Sequence, residues 1–294
     1  MKTIDPKDLS SQDLQTIMQT AVAPRPIAFA STISKKGAPN LSPFSFFNMV
    51  STVPPILVFS PSRRVRDNTT KHTLENIIET NEVVIGVVNY DIVQQVSLSS
   101  TDYDEGVNEF IKAGFTMVDA VKVKPKLIAE CPVNFECRVL VVQSLGTEGG
   151  AGNLIICQVE HIHIDPKYLD SKGKLDQIKL DLVSRLGGPY YGRNNATNLF
   201  KIPKPLTKKG IGFDNLPKEI LTSTVLSGND LAMLANVETR PKGHFSSDKK
   251  VHLKAKALLR NEEIEKAWET LRRPSTDEDE KLDLLRHIFS IIKK

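Results

Sequence analysis

Residues 23–78 read APRPIAFASTISKKGAPNLSPFSFFNMVSTVPPILVFSPSRRVRDNTTKHTLENII. Three apolar runs, Pro26–Ile33, Leu41–Val50 and Pro55–Ser60, are separated by turn chemistry at Lys35-Lys36-Gly37 and Pro54-Pro55. The first two predict a hairpin, with Ala38 to Phe47 returning along Pro26–Ile33. Thr69–Thr80 then predicts a helix, with Leu74, Ile77 and Ile78 on one face and Thr70 or Asn68 as its cap.

Working outward, Ser10–Met18 reads as a short opening helix and Glu82–Val88 as a buried strand. Tyr90–Ser99 and Tyr103–Ala113 read as helices in a connection. Val133–Leu145 and Leu154–Ile164 are two long β runs joined by the flexible loop Gly146–Gly152. After Pro203-Lys204-Pro205 the composition shifts to helix formers, with helices expected over Leu216–Leu226, Gly228–Val237, Val251–Leu271 and Asp277–Ile292. The acidic run at the start of the last one suits a helix dipole. These patterns place a mainly β domain (α+β, a barrel or sandwich with inserted helices) at residues 1–205 and a helical extension at 206–294.

The chain has 294 residues, 40% hydrophobic and 25% charged, with a net charge of +4. That is a soluble globular balance. Nothing interleaves aromatics with basic residues, so no nucleic-acid partner is expected. No run reaches the roughly 18 apolar residues of a membrane span, and the polar start lacks a signal-peptide core. Cys131, Cys137 and Cys157 are odd in number and sit in apolar contexts, which reads as buried free thiols in a reducing cytoplasm.

Hydroxyls, an amide and cations around apolar strands suit a ligand with a flat apolar head and an anionic tail, the shape of flavin mononucleotide (FMN). In Ser42–Asn48, alternation puts Ser45 and Phe47 on one side and Phe46 and Asn48 on the other. The polar groups can meet the pyrimidine edge of such a ring and the phenylalanines its faces. Read alone, the same strand is equally a half-buried edge strand with packing aromatics. Arg25, held between Pro24 and Pro26, is either a phosphate-fixing cation or a surface arginine at a strand entrance. The helix start near Thr70, Lys71 and Thr73 is either a phosphate cradle or ordinary capping beside a solvated basic face. His161 and His163 face the same way, but spacing marks no third ligand, so no metal is expected.

These motifs, in this order, resemble the flavin-reductase-like family with the FMN-binding split β-barrel fold, over roughly residues 20 to 205. The similarity is greatest to its flavoredoxin-like and uncharacterised bacterial members, which carry Pro-Arg-Pro and Pro-Phe-Ser-Phe-Phe-Asn signatures. The resemblance implies bound FMN, with Arg25, Ser45, Phe46, Phe47, Asn48, Ser60, Thr70, Lys71 and Thr73 as its site. The family's Lys-Asp-Thr triplet stands here as Lys71-His72-Thr73, so His72 departs from it. A second departure is Gly150-Ala151-Gly152-Asn153, where stand-alone reductases carry Gly-Asp-His for the nicotinamide. Gly187-Gly188-Pro189-Tyr190-Tyr191 matches a closing motif expected to cap the site.

The expectation is a cytoplasmic homodimeric FMN oxidoreductase that passes hydride or electrons between a small-molecule or protein donor and acceptor. No catalytic residue is assigned, and Asn48 is expected to tune the flavin through hydrogen bonds. The alternatives are a non-enzymatic FMN electron carrier and a scaffold that docks a partner through its C-terminal helices.

Overall fold

The computed structural model describes residues 1–205, 209–274 and 276. The helix expected at Asp277–Ile292, with its acidic start, lies outside the described residues. The chain forms two compact units, Met1–Phe200 and Lys201–Lys294.

The first unit opens with α1 (Ser11–Ala21), capped by the Ser10 hydroxyl. Strands β1 (Ala28–Ile33) and β2 (Pro39–Phe44) form the expected hairpin. Next come β3 (Phe47–Ser51), β4 (Ile56–Phe59), α2 (His72–Thr80) and β5 (Glu82–Val87). The connection holds α3 (Val93–Leu98), α4 (Glu109–Ala113) and the short pair β6 (Met117–Val118) and β7 (Leu127–Ile128). The long strands β8 (Val133–Ser144) and β9 (Asn153–Ile164) follow. After α5 (Gln177–Leu180), β10 (Val183–Arg185) and β11 (Tyr191–Arg193) make a small hairpin.

Seven strands form one antiparallel sheet in the order β2-β1-β5-β8-β9-β4-β3. Its two edge strands are β2 and β3, yet only Ser45 and Phe46 separate them in the chain. Flat, the sheet would hold those edges about 29 Å apart at the usual strand spacing. The three residue steps from Phe44 to Phe47 reach at most about 11 Å. The sheet therefore curls into a half-open barrel whose seam lies between β2 and β3. The returning strand expected over Ala38–Phe47 thus ends at Phe44, and the run Leu41–Val50 is divided between opposite edges.

Inside the curl, Phe44, Phe59, Val83, Ile85, Cys137 and Ile155 pack with Leu74 and Ile77 of α2. Ile78, expected on the same helix face, is 60% exposed. On the outer side, Phe29, Leu41, Val84, Phe110 and Ile128 make a second core under the connection. Gly86 allows this packing, since a Cβ there would lie 2.6 Å from the Cys131 sulfur. All three cysteines are buried thiols.

Two inserted helices differ from expectation. Thr69–Thr80 becomes a helix only from His72, because Asn68 takes a positive φ and Asp67 engages Thr69. Tyr103–Ala113 is helical only from Glu109: Gly106 has φ +85°, and Asn108 caps the new start.

The second unit packs α6 (Lys218–Leu221), α7 (Gly228–Ala235), α8 (Lys249–Arg260) and α9 (Ile264–Leu271) around Leu234, Leu259, Trp268 and Leu271. A short pair, β12 (His244–Phe245) with β13 (Arg272–Arg273), closes it. Ser227 and Asp230 form a capping box at α7. The helix expected over Leu216–Leu226 stops at Leu221, and the Ser223 hydroxyl takes the Val225 and Leu226 N–H groups. Val251–Leu271, expected as one helix, is two, broken where Glu262 adopts φ +61°. Among the described residues no helix is long and apolar enough to cross a membrane.

Candidate functional site

A cavity of about 1030 Å³ opens in the first unit beside the seam of the half-barrel. One wall is α1, whose Leu14 and Met18 recur every four residues with the C-cap residue Val22 and so share a face. The start of α2 also lines the cavity, with Lys71, His72 and Thr73, together with Asn40 and Ser42 of β2. Phe46 stands at the seam, and Gly149 and Gly150 of the glycine loop close one side. A Cβ at Gly149 would press on the Arg64 and Val65 backbone at 3.1–3.2 Å, so a bare residue lets the loop sit there.

The α2 start has the chemistry to receive an anion. Lys71 occupies the N-cap position and makes no side-chain cap. The Leu74 and Glu75 N–H groups close onto the Lys71 carbonyl, which leaves the His72 and Thr73 N–H groups outside the helix ladder. Cations dominate the lining: Arg25, Arg63, Arg64, Arg66 and Lys71 against Asp102 and Glu109. Arg64 and Arg66 both pair with Asp102 at 2.7 Å, tying two loops together. Lys71 has no ion-pair partner among the described residues; its ammonium lies 5.4 Å from the Phe44 ring. Burial and then Arg64 push its pKa below the ordinary lysine value, with Asp102 pulling the other way. An anion in the cavity would offset both penalties.

Glu109 is buried at the same wall, where its carboxylate accepts the Leu41 N–H at 3.0 Å. Burial raises its pKa, while its own N–H, that of Leu41 and the charge of His72 oppose the rise.

Of the expected site residues, Arg25, Phe46, Lys71 and Thr73 share the cavity. Arg25 does so with its fork already engaged. It donates to the Gln19 carbonyl, to the Val22 carbonyl at 2.7 Å and to the Leu186 carbonyl at 3.0 Å. Its Nε reaches the Ser45 hydroxyl at 3.5 Å. Phe47 packs against the barrel core, and the Asn48 side chain accepts the Met49 N–H at 2.9 Å. The Ser60 hydroxyl is buried without a hydrogen-bond partner among the described residues, and a Cβ on Gly152 would lie 2.7 Å from it. The Thr70 hydroxyl donates to Glu75. The alternation expected across Ser45–Asn48 does not hold, because Ser45 and Phe46 lie between strands.

Asn153 turns from the cavity and donates to the Pro61 carbonyl at 3.1 Å. The Gly187–Tyr191 segment is the β10–β11 turn. It lies against α1, since a Cβ on Gly187 would meet Thr20, and neither Tyr190 nor Tyr191 is part of the cavity lining. His163 pairs with Glu136 at 2.6 Å, and the His161 ring lies 5.3 Å from that of His163. The sequence reading passed over Asn40, Glu109 and the α1 face. The Leu14–Met18–Val22 spacing was a legible signal for the last; Asn40 and Glu109 carried none.

A flavin reductase like domain matches residues 20–179, more than half of the chain. The chain belongs to the flavin reductase like family. A relative of unassigned function from Halalkalibacterium halodurans is 36% identical over 205 residues, covering 69% of this chain and 96% of its own. Nitrilotriacetate monooxygenase component B from Bacillus cereus superposes with a TM-score of 0.64 at 25% identity, covering 69% of this chain and 98% of that one. A Shewanella frigidimarina structure described as a flavin reductase with a split barrel domain gives 0.58 at 22% identity, over 68% and 96%. That likeness concerns the fold alone, and the half-open sheet with its seam between β2 and β3 is the split barrel. The flavin reductase like family is a flavin-binding one, and the cavity described above lies within its matched region except for the α1 residues before position 20.

Proposed function

We propose that this chain binds FMN in the seam cavity and acts as an oxidoreductase through it. The observation that carries the reading is the uncapped start of α2, opening on the cavity beside an unpaired, part-buried Lys71. Lys71, the Thr73 hydroxyl and the free N–H groups of His72 and Thr73 would hold the phosphate, and Phe46 would give the ring an apolar contact. Arg25 would support the site by holding α1 over it. Bound FMN would supply hydride and electron transfer, chemistry that no side chain here provides. The chain's own contribution is binding, charge balance and the exclusion of water by α1 and the glycine loop. We read residues 1–205 as this flavin-binding domain, residues 206–294 as a helical extension, the active form as a homodimer and the cytoplasm as its compartment. The visible spectrum of the purified protein tests the reading. Flavin absorbance that travels with the protein, or returns on adding FMN, supports it; a colourless protein that takes up no FMN overturns it.

One observation favours electron carriage over NAD(P)H-driven turnover. Asn153 stands where stand-alone reductases carry a nicotinamide-receiving histidine, and its amide donates to the Pro61 carbonyl. The physiological reductant would then be another small molecule or a partner protein.

A further inference from the structure

Behind the anion-binding wall runs a chain of buried polar side chains. Asn40 of β2 is 8% exposed and Thr73 of α2 is 1% exposed, and both border the cavity. The Asn40 amide donates to the Thr73 hydroxyl at 2.9 Å and to the Thr32 hydroxyl at 3.3 Å. Asn76, one turn further along α2, donates to the same Thr32 hydroxyl at 3.1 Å.

An amide nitrogen carries two protons, and Asn40 spends one on each hydroxyl. A hydroxyl that accepts still has one proton to give. Among the described residues no acceptor takes that of Thr73. Thr73 is the second residue of α2, so no preceding helical turn offers it a carbonyl. Its own N–H is also one of the two left outside the ladder. A buried donor without an acceptor is costly unless a ligand completes it.

We propose that Asn40 is the positioning residue of this site: it holds the Thr73 oxygen from behind, so that the hydroxyl proton is presented to an anion in the cavity. Thr32 and Asn76 brace Asn40 in turn. The inference rests on the phosphate-binding reading above and adds to it the group that aims the threonine. Asn40 itself need not touch the ligand.

Comparing FMN with riboflavin, which lacks the phosphate, tests this. Both affinities are measured by quenching of flavin fluorescence. Thr73→Val is expected to weaken FMN about tenfold relative to riboflavin, the scale of one hydrogen bond to a charged group. Asn40→Ala should lower the same ratio by a similar factor, and the double variant should fall no further than Thr73→Val. Asn76→Ala, which loosens the brace behind Asn40, should lower the same ratio by a smaller factor than Asn40→Ala. If Asn40→Ala does not fold, Asn40→Ser keeps a polar group in the strand but is too short to reach both hydroxyls, and the same loss of ratio is expected. Loss at Thr73 without loss at Asn40, or additive losses, overturns this inference alone. An unchanged ratio in Thr73→Val overturns it together with the phosphate reading.

Discussion

The Arg25 guanidinium donates to the Leu186 carbonyl at 3.0 Å, joining residues 161 positions apart. The same fork takes the Val22 and Gln19 carbonyls at the C-terminal end of α1, where a cation also suits the helix dipole. One buried cation thus fastens to the barrel a helix that buries none of its own residues. Arg25→Lys removes the planar fork and keeps the charge. It should cost about 2–3 kcal/mol and speed hydrogen exchange across Ser11–Ala21. Wild-type exchange in α1 would show that the clamp is dispensable.

Lys71→Ala should weaken FMN by about 1.5–3 kcal/mol, the range for hydrogen bonds to charged groups. Riboflavin, without the phosphate, should bind as before. Isothermal titration with both ligands checks this, and equal losses for the two would remove Lys71 from the phosphate.

Glu136 is fully buried, and its carboxylate gathers the Val121, Lys122 and Val123 N–H groups as well as His163. Burial pushes its pKa up, but the Val121 N–H, His163 and the other two N–H groups outweigh that and hold it below the ordinary glutamate value. The unfolded chain therefore binds its proton first as pH falls. The stabilisation is present above the unfolded pKa and is lost as pH drops through the folded one. Glu136→Ala should cost about 3 kcal/mol or more at neutral pH, by leaving buried donors unpaired. It should also flatten the stability profile below about pH 5. Urea melts between acid and neutral pH would reveal a parallel offset instead if Glu136 did not titrate with folding.

Hydride transfer from NADH or NADPH to the bound flavin should be slow. Orientation of reactants is worth up to about 7–11 kcal/mol, and Asn153, buried and tied to Pro61, stands in place of the nicotinamide-receiving histidine. Anaerobic stopped-flow reduction measures it. Full reduction within milliseconds at modest coenzyme concentration would make this an ordinary NAD(P)H-dependent reductase.

Sedimentation should show a twofold dimer. Met49, Val50 and Val53, on and just beyond the β3 edge, are 62%, 59% and 90% exposed, apolar surface at an open sheet edge. Such surface invites a second chain. Aspartate at both Met49 and Val50 should yield monomers. A wild-type monomer that retains FMN would contradict the homodimer.

Much of the fold was legible because its signals are local. Turn residues at Lys35-Lys36-Gly37 set the β1–β2 hairpin, and two long apolar runs became β8 and β9 nearly residue for residue. Lys71 and Thr73 were also legible, since a helix start with a lysine and a hydroxyl has a chemistry of its own. What failed was local continuity. Leu41–Val50 carries no glycine, and no turn pair stands at Ser45-Phe46 to mark it as the point where the chain crosses from one sheet edge to the other. That break follows from closure, a property of seven strands together.

The sequence by itself determined most of the element types and the family membership signalled by Pro-Arg-Pro and Pro-Phe-Ser-Phe-Phe-Asn. Only the tertiary structure decided how the candidate residues divide. Arg25 had a visible charge, but its role depends on which carbonyls the fold brings to it from α1 and Leu186. Asn40 carries no motif of its own and became part of the site because β2 lies beside the start of α2. Pattern within a segment records which face is buried. Which polar groups meet across segments is set by packing, and no single segment encodes it.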